Sequence, residues 1–386
     1  MASRERLARV PLASLTVEEF RDRYMIPNEP VLLTGATHGW RAVAEWVTPR
    51  GAPDISRLAA LFGASSASVV EEGGARRTMR LSEYADWWRA RSAATPPLYL
   101  KDWHLPALFP SYGAYTPPPH LAEDWLNEHW RQAAATEAGD HRFVYVGPAG
   151  SRTPLHADVL FSYSWSANVC GSKRWILVPA SQRGLVSDRA TAPLATDVHL
   201  LEQAAAGLRL VEVEQQAGEL LFVPSGWYHQ VENTTDVISI NHNWLNAYNA
   251  HWSIVRLAET LVEIKSRLAA DDASDGALCE LLLEQRCGLG LCGLCELLLG
   301  VLRRRLPVAV RRSGRLEKKR MRETEESMPH RTSLECDRAA ETLRETIATI
   351  EREYESPWES TMQQIVDEAR LLLCSYPGSH QGQNVS

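Results

Sequence analysis

Between residues 96 and 249, short apolar runs are cut at close intervals by glycine and proline, and this punctuation restricts the fold more than any other feature. Leu98-Tyr99-Leu100 follows a proline pair, Arg142 to Val146 stops at Gly147-Pro148, and Arg174 to Val178 stops at Pro179. Glu219 to Val223 ends at Pro224, and Val237 to Asn241 follows soon after. Proline removes a ladder donor and glycine loosens the backbone, so each run is confined to a short strand. Short strands at this spacing point to a mainly β barrel or sandwich rather than a parallel sheet wound with helices. One helix, at about residues 121–135, interrupts them.

The flanks differ in texture. Residues 1–95 mix short helices and strands as an N-terminal α/β extension. Thr16-Val17-Glu18-Glu19 reads as a capping box, residues 29–35 as a strand closed by glycine, and residues 85–91 as a helix. Residues 250–386 form a helical region, with segments near 251–268, 277–300, 334–355 and 358–374 that lack strand alternation. A basic run from Arg303 to Arg320 sits in a stretch, 301–332, that reads as a solvated or disordered linker. An import signal or a nucleic-acid patch is the alternative. A chain of 386 residues holds one large domain plus an appended one, since single cores rarely exceed about 250–300 residues.

The formal net charge of -7 argues against a general nucleic-acid binder. Met1 to Val10 carries three arginines and no secretory apolar run. The most apolar stretch, 277–301, is broken by Glu280, Glu284, Arg286 and Glu296, whereas a span needs about 20 apolar residues. Seven cysteines without a disulfide framework fit a reduced, cytosolic or nuclear setting, of which the cytoplasm is the expectation. Cys292-Gly293-Leu294-Cys295 lacks a second ligand pair at metal-site spacing, and a buried helix is its plainer meaning.

Chemistry concentrates at Thr153-Pro154-Leu155-His156-Ala157-Asp158. Residues i and i+2 of a strand share a face, so His156 and Asp158 can present an imidazole and a carboxylate to one point. His229 follows Val223-Pro224-Ser225-Gly226-Trp227 far along the chain. Two histidines and one carboxylate make the facial triad of non-haem Fe(II) oxygenases, with open positions for a chelating 2-oxo acid and O2. Lys173 opens the strand that runs to Val178. Separately, each residue has a plainer role: a surface pair, core histidine or solvated lysine. His242 and His199 read as structural or exposed.

Taken with Leu98 to Trp103, Gly171 to Trp175, Val223 to His229 and Ser239 to Trp244, the stretch from Thr153 to Asp158 resembles the JmjC-domain 2-oxoglutarate oxygenases over roughly residues 20–250. The resemblance implies a double-stranded β-helix of jelly-roll, cupin-like form. It implies His156, Asp158 and His229 as Fe(II) ligands and Lys173 as partner of the distal carboxylate of 2-oxoglutarate. Thr153 and Tyr99 would assist, although an inward tyrosine bonded to a backbone carbonyl fits Tyr99 as well. Ser166, Asn241 and Asn243 would orient the co-substrate, and Phe161, Tyr163, Trp165, Trp227, Tyr228 and Trp244 would wall the site. Asp102 is a carboxylate that could meet a cationic substrate. Asp124 to Glu128 and Ser239 to Trp244 narrow the resemblance to members that hydroxylate a lysine of the eukaryotic translation termination (release) factor. A homodimer through the C-terminal helices, as in several relatives, is a further expectation. An N-methyl-lysine demethylase and a non-catalytic metal-holding cupin-like module are the rival readings.

Overall fold

Alternation along Val237-Ile238-Ser239-Ile240-Asn241-His242-Asn243-Trp244 puts Ser239, Asn241 and Asn243 on one face and isoleucines on the other. A strand with a polar inner face suits a barrel that encloses a site rather than a dry core. The computed structural model describes residues 3–92, 94–132, 139–187, 197–204, 207–305, 330–354, 360–374 and 376. It divides into two compact units, 1–244 and 245–386.

The first unit is built on strands β1 (Ser3–Arg6), β2 (Arg9–Pro11), β3 (Val31–Thr34), β4 (Ser66–Val70), β5 (Arg76–Arg80), β6 (Tyr99–Trp103) and β7 (Arg142–Gly147). It continues with β8 (Arg152–His156), β9 (Tyr163–Cys170), β10 (Lys173–Val178), β11 (Arg209–Gln215), β12 (Leu220–Val223), β13 (Tyr228–Asn233) and β14 (Val237–Trp244). Five strands form a sheet in the order β1-β11-β10-β13-β8, and nine form a second in the order β2-β3-β12-β9-β14-β7-β6-β4-β5. The chain adopts the jelly-roll architecture that the resemblance implies, in keeping with the barrel or sandwich expected from the punctuation.

Register explains how the barrel closes around a cavity. Antiparallel pairing of β14 with β9 sets Asn241 opposite Ser166 and Asn243 opposite Ser164, so the small polar side chains share one face. At one end, Leu32, Trp175, Leu177, Val211, Val213, Leu221, Val223, Trp227 and Val231 pack into an apolar plug. Full burial of such a side chain contributes about 1.5–3 kcal/mol. On the outer face of the small sheet, the alternate residues Ile176 and Val178 join Leu155, Val198, Leu201 and Tyr228 in a separate cluster.

The expected capping box is present: Glu19 N–H donates to Thr16 Oγ1 (3.1 Å), and Thr16 N–H donates to Glu19 Oε2 (2.8 Å). The helix expected at 85–91 starts earlier and spans Leu81–Ala90, because Glu83 accepts from the Arg80 N–H and caps the earlier start. The helix expected at 121–135 begins at Trp125 and is described to Gln132, residues 133–135 lying outside the described residues.

The second unit is helical, with helices Ala250–Lys265, Gly276–Cys287, Leu291–Arg305, His330–Glu353 and Ser360–Cys374. Residues 301–305 and 330–332 of the expected linker belong to helices, and 306–329 lie outside the described residues. Among the described residues no single helix is long and apolar enough to cross a membrane. Gly276–Cys287 and Leu291–Arg305 pass that test only together, and they are bent by 72°. Cys292 and Cys295 are buried within the second of them.

Candidate metal centre and its cavity

The His-x-Asp motif sits where the β8–β13 ladder slips. His229 faces His156 and Val231 faces Thr153, so three steps along β8 oppose two along β13. The extra residue is a β-bulge, and Pro154, which has no N–H to offer a ladder, lies within it. The bulge turns Thr153 and His156 to the same side. Asp158 follows in extended conformation (φ -64°, ψ 155°), which keeps it on the face of His156. Leu160 and Phe161 then adopt left-handed φ of 57° and 45° to reverse the chain into β9. Such non-glycine conformations cost about 1–3 kcal/mol each and persist where surroundings enforce them.

The ligand atoms of His156, Asp158 and His229 all lie within 4.8 Å of one another. The imidazole centroids are 4.2 Å apart. His156 Nδ1 donates to Pro154 O at 2.8 Å and His229 Nδ1 donates to Trp227 O at 3.3 Å. Each ring is thus set with its proton on Nδ1 and the Nε2 lone pair free for the cluster. Burial, and then His229, pushes His156 down to about 4, so the ring is neutral, the form that binds metals. Burial would raise Asp158, but His229, His156 and hydrogen bonds from Ser164 and Asn243 outweigh it and hold the carboxyl below its ordinary value. Asp158 Oδ2 is buried without a hydrogen-bond partner and lies 3.9 Å from His229 Nε2. Two lone-pair nitrogens and an unpartnered carboxylate oxygen fit a divalent cation bound on one face, leaving other positions open.

The triad lines a cavity of about 50 Å³ together with Tyr99, Thr153, Ser166, Lys173, Asn241 and Asn243. All nine residues singled out in the sequence therefore meet at one place. Lys173 is 2% exposed and donates to Ser239 Oγ at 2.7 Å, which in turn accepts from Asn241 Nδ2 at 3.2 Å. Thr153 Oγ1 accepts from Lys101 Nζ at 3.1 Å, leaving its own proton to donate. Asn243 Nδ2 donates to Ser162 Oγ at 3.2 Å, and Ser166 Oγ is buried without a partner.

Sequence reasoning missed Lys101 and Tyr145, which also line the cavity. Lys101 stands two residues from Tyr99 on the same strand, and that period-two relation was the available signal. The expected aromatic wall is mostly elsewhere. Tyr163 meets Phe222 edge-on and Trp244 packs tilted against both, Trp227 Nε1 donates to Asn28 O, and Tyr228 joins the outer cluster of the small sheet. Phe161 belongs to the reversal after Asp158. Trp165 lines the cavity as expected, joined by Trp175, whose ring is 5.6 Å from that of His229. Asp102 does not await a cation, since its oxygens accept from Arg76 and Tyr145, each at 2.9 Å. His242 is buried and stacked on Trp165 at 4.0 Å.

A larger hollow, about 510 Å³, is lined by Tyr115, Asn127, Asp140 and Arg142 and reaches the sheet at His242. His242 lines both this hollow and the small cavity, so the two approach each other at that ring. The metal-binding cluster belongs to the small cavity.

A jelly-roll barrel holding two imidazoles and a carboxylate beside buried lysines defines a facial-triad metalloprotein of the cupin type. Residues 17–250 match the cupin-like domain family, and the chain belongs to that family in its JmjC branch. It is 41% identical over 250 residues to the 2-oxoglutarate and iron-dependent oxygenase JMJD4 of Homo sapiens (60% of this chain, 59% of the relative). It is 37% identical over 300 residues to that of Gallus gallus (72% and 70%). It is also 40% identical over 270 residues to the arginine-specific demethylase JMJ20 of Arabidopsis thaliana (64% and 58%). The chain spans 58–59% of the length of several of these relatives.

Proposed function

We propose that the chain is an Fe(II)- and 2-oxoglutarate-dependent protein hydroxylase that acts in the cytoplasm on a lysyl carbon of the translation termination factor. The observation that carries the reading is the convergence of His156, Asp158 and His229 on one point of a cavity that also buries Lys173, which has no carboxylate partner among the described residues. Iron, when bound, would couple reduction of O2 to oxidative decarboxylation of 2-oxoglutarate, giving succinate, CO2 and one oxygen atom inserted into a substrate C–H bond.

The chain's own residues bind, orient and exclude water. His156, Asp158 and His229 hold the cation with Nε2 and carboxylate donors. Lys173 takes the distal carboxylate, and Ser239 and Asn241 steady the lysine through hydrogen bonds. A charge-assisted contact of this kind is strengthened by the burial of Lys173. Thr153 and Tyr99 supply hydroxyl donors, and Ser166 and Asn243 orient the co-substrate from β9 and β14. Trp175, Trp165 and Tyr145 keep solvent out.

The test is succinate release from 2-oxoglutarate with Fe(II), followed by mass spectrometry of a lysine-bearing release-factor peptide. The expected result is turnover in wild type, background in His156→Ala, and a peptide heavier by one oxygen. Loss of a methyl group from a methylated arginine peptide would support the second reading, a demethylase, which the name of the Arabidopsis relative favours. Absence of succinate release with either peptide defeats both.

A further inference from the structure

We infer that Lys101 is a second anion anchor of the cavity, binding the carboxylate nearest the metal ligands while Lys173 binds the far one. The inference rests on the co-substrate reading above and extends it to a residue to which the sequence motifs assign no role.

Lys101 enters the cavity because β6 breaks its own alternation. Leu100 pairs with Val146 and Trp103 with Val144, so three steps on β6 oppose two on β7. The extra residue is absorbed at Asp102, whose φ is 53°. Tyr99 and Lys101 therefore project inward, while the bulge returns Trp103 to the face that Phe62 covers. Tyr145 and Arg76 hold Asp102 in this unusual conformation.

Lys101 is 8% exposed, and its Nζ lies 5.5 Å and 5.1 Å from the ring centroids of Tyr99 and Tyr145. Its hydrogen bond goes to Thr153 Oγ1, which leaves two ammonium protons to give. Among the described residues no carboxylate pairs with Lys101 or Lys173 within 4.0 Å. Burying an ammonium without a counter-charge is costly, and this cavity buries two. Asp102 and Asp158 offset the Lys101 charge only in part, since Asp102 is paired with Arg76 and a metal would claim Asp158.

Lys101 Nζ meets Thr153 Oγ1 on the strand that carries His156, and it shares the Tyr145 ring with Lys173, whose Nζ lies 6.0 Å from that ring's centroid. A short 2-oxo dicarboxylate laid from the triad to Lys173 would therefore pass Lys101 with its first carboxylate. A matching dianion satisfies both lysines, whereas a monoanion leaves one bare. The cavity thus favours a 2-oxo diacid over a 2-oxo monoacid through two separate cations.

Calorimetric titration of the full chain loaded with Mn(II) tests this without turnover. The probes are 2-oxoglutarate and 2-oxopentanoate, which has the same carbon chain but no far carboxylate. Lys173→Met is expected to weaken 2-oxoglutarate alone. Lys101→Met is expected to weaken both probes by about 10–100-fold, the usual loss for a hydrogen bond to a charged group. Retained Mn(II) affinity would show the triad intact; if the Met variant loses it, Lys101→Gln, neutral and able to bond Thr153, gives the same comparison. Wild-type binding of both probes that survives unchanged in the Lys101 variant overturns the inference. So does a loss confined to 2-oxoglutarate, which would move Lys101 to the far carboxylate. Wild-type protein that takes up Mn(II) but neither probe removes the co-substrate reading itself.

Discussion

Lys173 Nζ donates to Ser239 Oγ at 2.7 Å, a neutral acceptor where a buried ammonium would ordinarily meet a carboxylate. Burial, and then Lys101, brings the lysine down to about 7. A bound dianion would raise it again, so above pH 7 binding must capture a proton. Affinity for 2-oxoglutarate should fall as pH rises from 7 to 9, by up to about tenfold per unit. Calorimetry in buffers of differing ionisation heat should detect proton uptake at pH 8 in wild type and none in Lys173→Met. The depressed lysine also shapes stability. Between about pH 7 and its ordinary value the unfolded chain binds more protons there, so stability rises with pH, and the Met variant loses that component.

In the helical unit, Glu280 is 8% exposed and accepts from the Cys292 N–H (2.7 Å) and Tyr354 Oη (2.8 Å). It caps the helix Leu291–Arg305, and a Cβ on Gly290 would come within 2.1 Å of its Oε1. Tyr354→Phe strips one donor from a buried acceptor and should cost about 1–3 kcal/mol, read by hydrogen exchange of that helix. Burial raises the Glu280 carboxyl. The folded unit therefore binds its proton more firmly than the unfolded chain, and stability falls as pH climbs from the ordinary glutamate value through the raised one. Glu280→Gln should flatten that fall.

The parts of the site legible in the sequence are those that depend on local period. His156 and Asp158 are two apart, and Ser239, Asn241 and Asn243 alternate, so strand geometry alone aligns them. The parts that were not legible depend on bulges. A bulge at Pro154-Leu155 brings Thr153 beside His156, and another at Asp102 fixes which side Lys101 takes. Neither leaves a glycine to advertise the irregular backbone. The aromatic wall was misjudged for a related reason: Tyr163 and Trp244 lie on the strands that carry the site, yet they pack against Phe222, whereas Trp165 on the same strand as Tyr163 does line the cavity.

Gly147 ends β7 against Tyr99. A Cβ there would lie 2.5 Å from Asn233 Nδ2, 2.6 Å from Ser151 Oγ and 2.7 Å from the Tyr99 ring. None of these neighbours can yield cheaply, because Asn233 Nδ2 is bonded to Ser151 Oγ at 2.8 Å and Tyr99 is 3% exposed. Gly147→Ala should destabilise the first unit by about 1–3 kcal/mol through overpacking. If Tyr99 contacts the co-substrate, the same variant should bind 2-oxoglutarate more weakly while keeping its Mn(II) affinity. Equal binding in variant and wild type would leave Tyr99 a purely packing residue.

The unpartnered Asp158 oxygen beside two Nε2 lone pairs makes the folded barrel, and not the unfolded chain, a metal ligand set. Metal should therefore stabilise by mass action, about 2.7 kcal/mol at a free concentration one hundred times Kd. Thermal melts with Mn(II), or with Fe(II) under argon, should rise with concentration, and a chelator should reverse the rise. His156→Ala and His229→Ala each remove one donor and should abolish the metal-dependent shift. His242→Ala, although also a buried histidine substitution, should lower the melting temperature by loss of stacking on Trp165 yet retain the shift. A metal response surviving in both triad variants would place the cation elsewhere in the protein. A response lost in all three would mean that folding, rather than ligation, had been measured.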